Sequence, residues 1–239
     1  MNWPRKGSAP GAAVVFILLL AVILSGSSAG NAEGLQIADL ALLRAVERSG
    51  EKPEDIARLH ASFVLSLEGI EHLRSLETLS LNHSDVSDLS PLLELPNLTY
   101  LAVSSAEDAV DLEIISQLTG LESLRIVDSG VSDLSFLANL QNLRMLDLRS
   151  NEIVDLEPLS RLKNLRSLYL EENHVSDITP LAPLENLEIL RLSRNPIEDI
   201  SPLAKLRNLE SLYLDYTKVS SITALKELTN LENLDLNFT

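Results

Sequence analysis

The chain has 239 residues, 45% apolar but only 4% aromatic, so any core is aliphatic; its formal net charge is −16 and it has no cysteine. A surface this acidic repels phosphate backbones, which speaks against nucleic acid as a partner. The lack of cysteine excludes disulfides, thiolate metal sites, a cysteine nucleophile and a lipidated N-terminal cysteine together.

Arg5 and Lys6 precede an apolar run from Ala12 to Leu24, followed by Ser25-Gly26-Ser27-Ser28-Ala29. A positive start, a short apolar middle and a small-residue region are the order of a secretory signal. Residues 1–29 are therefore expected to be a signal peptide, cleaved after Ala29 or alternatively after Ala32. The apolar run falls short of the about 20 residues of a membrane span, and an uncleaved anchor is the competing reading. Either reading exports the rest, to the medium or the cell surface, and loss of Arg5 and Lys6 takes the net charge to −18. Residues 30–53 form a linker and a helical segment: Ile37 to Val46 has helical spacing that ends near Gly50. Pro53-Glu54-Asp55 then opens a second helical turn, with proline and acids where a helix N-terminus favours them.

From Leu76 the chain repeats every 22 residues, with units beginning at Leu76, Leu98, Leu121, Leu143, Leu165, Leu187, Leu209 and Leu231. The second unit alone has 23 residues, with the extra one near Ala106-Glu107-Asp108. A degenerate unit fits upstream at 54–75, with Leu59, Val64, Leu67, Ile70 and Leu73 in register. Each unit opens L-x-x-L-x-L, as at Leu143, Leu146 and Leu148, which reads as a short strand burying alternate side chains. Position 9 is polar (Ser84, Ser129, Asn151, Asn173, Asn195, Thr217) and is expected to form a hydrogen-bonded ladder through the stack, broken at Ala106. Ser90-Pro91, Thr179-Pro180 and Ser201-Pro202 place a capping hydroxyl before proline, the start of a short helical turn. The acid at position 13 (Asp88, Asp133, Asp155, Asp177, Asp199) suits bonds to nearby backbone amides better than a calcium ladder. Position 22, Asn in six units and Gly120 in the irregular one, is expected to be left-handed, where the helical turn reverses into the next strand.

No unit can fold alone. Its seven or eight aliphatic side chains contribute roughly 1.5–3 kcal/mol each when buried, against on the order of 1–2 kcal/mol of backbone entropy for each ordered residue. Only stacking, which buries both faces of a coil, favours folding.

The pattern L-x-x-L-x-L-x-x-N-x-[IV]-x-D-[IL]-x-P-L-x-x-L-x-N resembles the repeat of bacterial internalins and related leucine-rich-repeat proteins, across residues 54–239. The resemblance implies an α/β solenoid, a right-handed superhelix with a concave parallel β-sheet and short 3₁₀ or α turns on its convex side. It also implies that the helical segment before the repeats is an N-terminal cap over the first coil. Internalins usually continue into an immunoglobulin-like domain and a wall-attachment region, neither of which follows Thr239. Leu231, Leu234 and Leu236 are thus expected on an open edge, either docked on another copy or marking a shortened relative.

In this register positions 1, 4 and 6 point inward and positions 2, 3, 5, 7 and 8 outward on the concave face. All four tyrosines (Tyr100, Tyr169, Tyr213, Tyr216) fall on outward positions, as do Phe238, Met145, Ile189 and six arginines. Tyr, Arg and Met are the types that interfaces enrich. The candidate partner-binding residues are Tyr100, Arg125, Met145, Arg149, Tyr169, Arg191, Tyr213 and Tyr216. A plain sheet also favours tyrosine, and ladders of Arg125 with Asp147 and Arg149 with Glu171 would be ordinary cross-strand pairs.

His60, His72, His83 and His174 lie in different coils without metal-ligand spacing, and no nucleophile-elbow, phosphate-loop or zinc-helix motif appears. No catalytic residue, metal or cofactor is therefore expected. The leading reading is an exported module that binds a protein on its concave face, with adhesion as one use. The competing reading, an intracellular regulatory or targeting subunit, rests on a resemblance to phosphatase-regulating repeat proteins of eukaryotes.

Overall fold

In a computed structural model, described here for residues 36–104 and 111–239, nine parallel strands form one sheet in strict chain order. They are β1 (Arg58–Ser62), β2 (Thr78–Asn82), β3 (Tyr100–Ser104), β4 (Ser123–Val127), β5 (Met145–Asp147), β6 (Ser167–Tyr169), β7 (Ile189–Arg191), β8 (Ser211–Tyr213) and β9 (Asn233–Asp235). At about 4.8 Å per strand the sheet is roughly 38 Å wide. Position 4 is the register pin: Leu79, Leu101, Leu124, Leu146, Leu168, Leu190 and Leu212 lie side by side, each fully buried. The predicted leader and the residues around Ala106, with its expected ladder break, lie outside the described residues.

The degenerate unit supplies β1, with one departure from the sequence reading. Leu59 pairs with Leu79 and so stands at position 4, not at position 6. Val64 is nonetheless at position 11, its amide donating to Ser84 Oγ at 3.1 Å as Val131 and Ile153 donate to the next coil's asparagine. The first coil is thus two residues short between strand and turn.

The position-9 ladder is present. Asn151 Nδ2 donates to Ile126 O in the previous coil and Leu148 O in its own, at 2.8 and 2.9 Å, while Oδ1 accepts from Val131 N at 3.0 Å. Asn173 and Asn195 repeat the pattern. Ser84, Ser129 and Thr217 have one hydroxyl there, which satisfies fewer groups.

Two turn expectations are corrected. Asn at position 22 is not left-handed; the left-handed residue is position 8, with φ between 48° and 61° at Phe63, His83, Asp128, Ser150, Glu172, Arg194, Tyr216 and Phe238. There the chain leaves the sheet so that position 9 can face the core. The position-22 asparagines form a second, exposed ladder, in which Asn142, Asn164, Asn186, Asn208 and Asn230 donate to position-21 carbonyls one coil earlier at 2.8–3.1 Å. Neither do the hydroxyls before proline cap the convex 3₁₀ turns. The position-13 carboxylate does, accepting the amide of Ser90, Ser135, Glu157, Thr179 or Ser201 at 2.8 Å. Hydrogen bonds from Ser90, Ser135 and Thr179 hold Asp88, Asp133 and Asp177 below the usual carboxylate range. Their stabilisation is present above the ordinary carboxylate pKa and is lost as pH falls through the lowered one. In the irregular second coil, the 3₁₀ turn is replaced by α2 (Leu112–Ile115), capped by Asp111.

A helix, α1 (Leu40–Ser49), packs Leu42, Ala45 and Val46 inward and lies against β1. Its N-cap Asp39 is shared: one oxygen accepts from Leu42 N at 2.8 Å, the other from Leu65 N in the first coil at 2.9 Å. Gly69 is needed where this segment crosses, because its φ is 96° and a Cβ would lie 2.1 Å from Gln36 O.

Asn173→Ala leaves the buried Ile153 amide unpaired, at roughly 1–3 kcal/mol, while Leu148 O and Leu170 O keep the hydrogen bonds from Asn151 and Asn195. Urea unfolding is expected to show a loss of about 2 kcal/mol, against under about 1 kcal/mol for Asn186→Ala on the exposed ladder.

Candidate partner-binding face

Because the register is constant, like positions align in rows across the sheet. Position 5 presents Arg125, Asp147, Tyr169, Arg191 and Tyr213 on consecutive strands. Asp147 has 5% of its side chain exposed and sits between two cations, with Arg125 Nε at 3.4 Å and Arg149 gripping both its oxygens at 2.9 and 2.8 Å. The expected Arg149–Glu171 pair is therefore replaced by a bidentate Arg149–Asp147 pair within one coil. Hydrogen bonding to Asp147, then its charge and that of Glu171, raises the Arg149 pKa above its ordinary value, so its charge is fixed.

Glu171 pairs instead with Arg191, at 3.6 Å. Arg191 lies near two aromatic faces, 5.6 Å from the centroid of Tyr169 and 4.3 Å from that of Tyr213, while Arg149 approaches Tyr169 from the other side at 5.7 Å. Such guanidinium–ring contacts contribute about 0.5–1 kcal/mol at exposed sites, and they hold long side chains in one conformation.

Position 8 makes a parallel row. Ser150 Oγ donates to Glu172 at 2.9 Å, and Glu172 pairs with Arg194 at 3.5 Å. Arg194 lies 4.5 Å over Tyr216, which stacks on Phe238 with centroids 4.7 Å apart. The left-handed backbone at these residues is unfavourable for bulky side chains.

The structure thus joins Arg125, Arg149, Tyr169, Arg191 and Tyr213 in one connected cluster, with Tyr216 in the adjoining row. Met145 stands in the position-3 row with Ser167 and Ile189. Tyr100 is apart, half-buried on β3 between Thr78 and Ser123. The expected pair of Arg125 with Asp147 is present, but sequence reasoning missed the grip of Arg149 on Asp147, the pairing of Arg191 with Glu171, and the position-8 row as a continuous feature. No glycine or asparagine occupies position 8 in the described coils, and only His83 and Asp128 are types that favour a left-handed backbone, too few to signal it. Among the described residues no group of histidines and carboxylates could hold a metal ion, and no helix is long and apolar enough to cross a membrane.

Burial raises the Glu171 pKa, outweighing the lowering by its own backbone amide and by Arg149 and Arg191. A carboxyl whose folded pKa exceeds its unfolded one favours the folded state most at low pH, and that advantage is lost as pH rises through the folded pKa. Glu171→Gln is therefore expected to be more stable than wild type at pH 7, with the difference shrinking as pH falls through the raised folded pKa and gone below about pH 4, the unfolded glutamate range. Thermal unfolding of both proteins at pH 7 and pH 3.5 checks this; a destabilised variant at pH 7 would refute it.

The model of leucine-rich repeats (two copies) matches residues 141–183 and 185–227. No curated protein sequence matches the chain. Among solved structures it is similar to internalin C2 of Listeria monocytogenes, at 35% identity and a TM-score of 0.76, covering 83% of this chain and 93% of that one. It is also similar to the internalin inlF of the same organism, at 28% identity and a TM-score of 0.71, covering 84% and 69%. The TLR13–ssRNA13 complex shares the fold alone, at 22% identity and a TM-score of 0.64, over 77% of this chain and 29% of that one.

Proposed function

We propose that this chain, which belongs to the internalin-like leucine-rich-repeat proteins, is an exported module that binds a protein on its concave sheet. The scaffold is one that commonly serves interaction, but fold does not select a partner. The observation that carries the proposal is the side-chain cluster across β4–β8. Arginines held by Asp147 and Glu171, and stacked on Tyr169 and Tyr213, form a surface with little conformational entropy left to lose on binding. Alternating ion pairs make this face nearly neutral on an acidic protein, which favours a mixed aromatic and polar contact over charge attraction. The Tyr/Arg/Met composition supports the same reading, and adhesion is a use consistent with export.

Met145, Tyr169 and Ile189 are the probes of choice, because they are outward-facing and take no part in the Asp147 pair. With residues 30–239 as immobilised bait, proteins retained from the surroundings of the source organism should be lost, at least tenfold, from a Met145→Ala, Tyr169→Ala, Ile189→Ala triple variant of unchanged circular dichroism. Undiminished capture would place the binding site on the convex face or the caps.

Export rests on the Arg5–Ala29 signature. Fractionation with N-terminal sequencing should find the chain outside the cytoplasm, beginning at Gly30; a cytosolic chain that keeps Met1 would overturn the assignment and favour the intracellular regulatory reading.

A further inference from the structure

The concave sheet carries a groove of about 400 Å³ between the two rows of side chains. Its floor is position 7, running from Val127 through Arg149, Glu171 and Ser193 to Asp215. One wall is position 5, with Arg125, Arg191 and Tyr213; the other is position 8, with Ser150, Glu172 and Arg194. The left-handed backbone at position 8 raises this second wall, because the chain turns out of the sheet there. The groove therefore crosses the strands and follows the solenoid axis. Spanning β4 to β8 at about 4.8 Å per strand, it is roughly 19 Å long, the length of about six extended residues.

Its chemistry is uneven. Around Ser193, the smallest floor residue and itself buried, stand three carboxylates (Glu171, Glu172, Asp215) and two guanidinium groups (Arg191, Arg194). Arg191 pairs with Glu171, and Arg194 with Glu172. Asp215 accepts from the Ser193 hydroxyl and has no ion pair among the described residues. Glu171 Oε2 and Arg191 Nε are shielded from solvent without a hydrogen-bond partner, so the pair does not satisfy itself. Arg125 and Arg149 share Asp147 at the other end of the groove and leave one positive charge there; the groove is balanced as a whole, and one negative charge remains at its Ser193 end, where partial desolvation makes it costly.

We propose that this groove takes an extended peptide segment of a partner protein, about six residues long, with one lysine or arginine seated over Ser193 between Glu171 and Asp215. The assignment rests on the concave-face reading above and specifies its ligand. A single cation balances the three carboxylates against the two arginines at this end of the groove. A second cation in the same place would meet Arg191 and Arg194 with no carboxylate left to pair.

The test is selection of phage-displayed random linear heptapeptides on the immobilised full chain. Binding of the selected fluorescent peptides is then measured by polarisation. The expected result is enrichment of sequences with one basic residue in a fixed register. Asp215→Asn should weaken them at least tenfold, and replacing the peptide's basic residue by glutamine should weaken them as much. Ser193→Tyr, which fills the floor, should abolish binding. Should Ser193→Tyr not fold, Asp215→Asn and the glutamine peptide still decide the matter. No enrichment over display background, enrichment without a basic residue, or equal binding by the Asp215→Asn chain would overturn the proposal. Capture of folded proteins sensitive to Met145, Tyr169 and Ile189, none of which lines the groove, reports on the concave-face reading separately. If that capture persists while peptides fail, the groove assignment alone falls.

Discussion

The register of the central coils depends on an asparagine amide (Asn151, Asn173 or Asn195) buried where the coil leaves its strand. The chain must turn there inside the core, where water cannot serve its peptide groups, and an unpaired buried group is costly. Asn151 meets the need in three directions at once: a carbonyl of its own coil, a carbonyl of the coil before, and an amide of the same neighbour. Because one side chain reaches both coils, it fixes their relative register as well as satisfying them. A slip of one residue would take the amide out of reach of all three groups. The leucines at position 4 then fall side by side, and so do all outward positions.

That alignment converts a repeating sequence into a surface with rows. Side chains 22 residues apart become neighbours, so an aspartate in one repeat orients an arginine in the repeat before it, as Asp147 does for Arg125. The face is held by alternating charge and aromatic contact, and its arginines are already engaged before any partner arrives. Their guanidinium groups are poor sources of bulk electrostatic attraction and good sources of shape. This differs from a basic groove, in which charge is free and orientation is not.

The repeat, the inward leucines, the position-9 ladder and the outward tyrosines were legible because each depends on residue type at a fixed spacing. The failures share a cause as well. Asn and Gly at position 22 invited a left-handed assignment, since those types tolerate it, but the asparagines are there for their side-chain amides. The true left-handed residues include Phe63, Glu172 and Tyr216, whose conformation is imposed by the stack against local preference. Arg149 could be matched with Glu171 by cross-strand register, yet its fork reaches Asp147 in its own coil; a pairing rule for backbones does not rank two carboxylates within reach of one long side chain. The shortened first coil escaped for a related reason, since leucine spacing alone does not reveal a deletion in a turn.

The buried ladder is not uniform along its length. Asparagine occupies Asn151, Asn173 and Asn195 in the middle, while Ser84, Ser129 and Thr217 stand toward the two ends with a single hydroxyl each. In a solenoid, where each coil touches only its neighbours, cohesion between adjacent coils sets how far a local opening spreads. Openings that begin at either end meet their firmest barrier in the asparagine coils. The chain is therefore a stiff centre between looser flanks, and the centre is the stretch that carries the arginine–tyrosine cluster. Its terminal coils can breathe, or adjust to a neighbour, without disturbing the geometry between them.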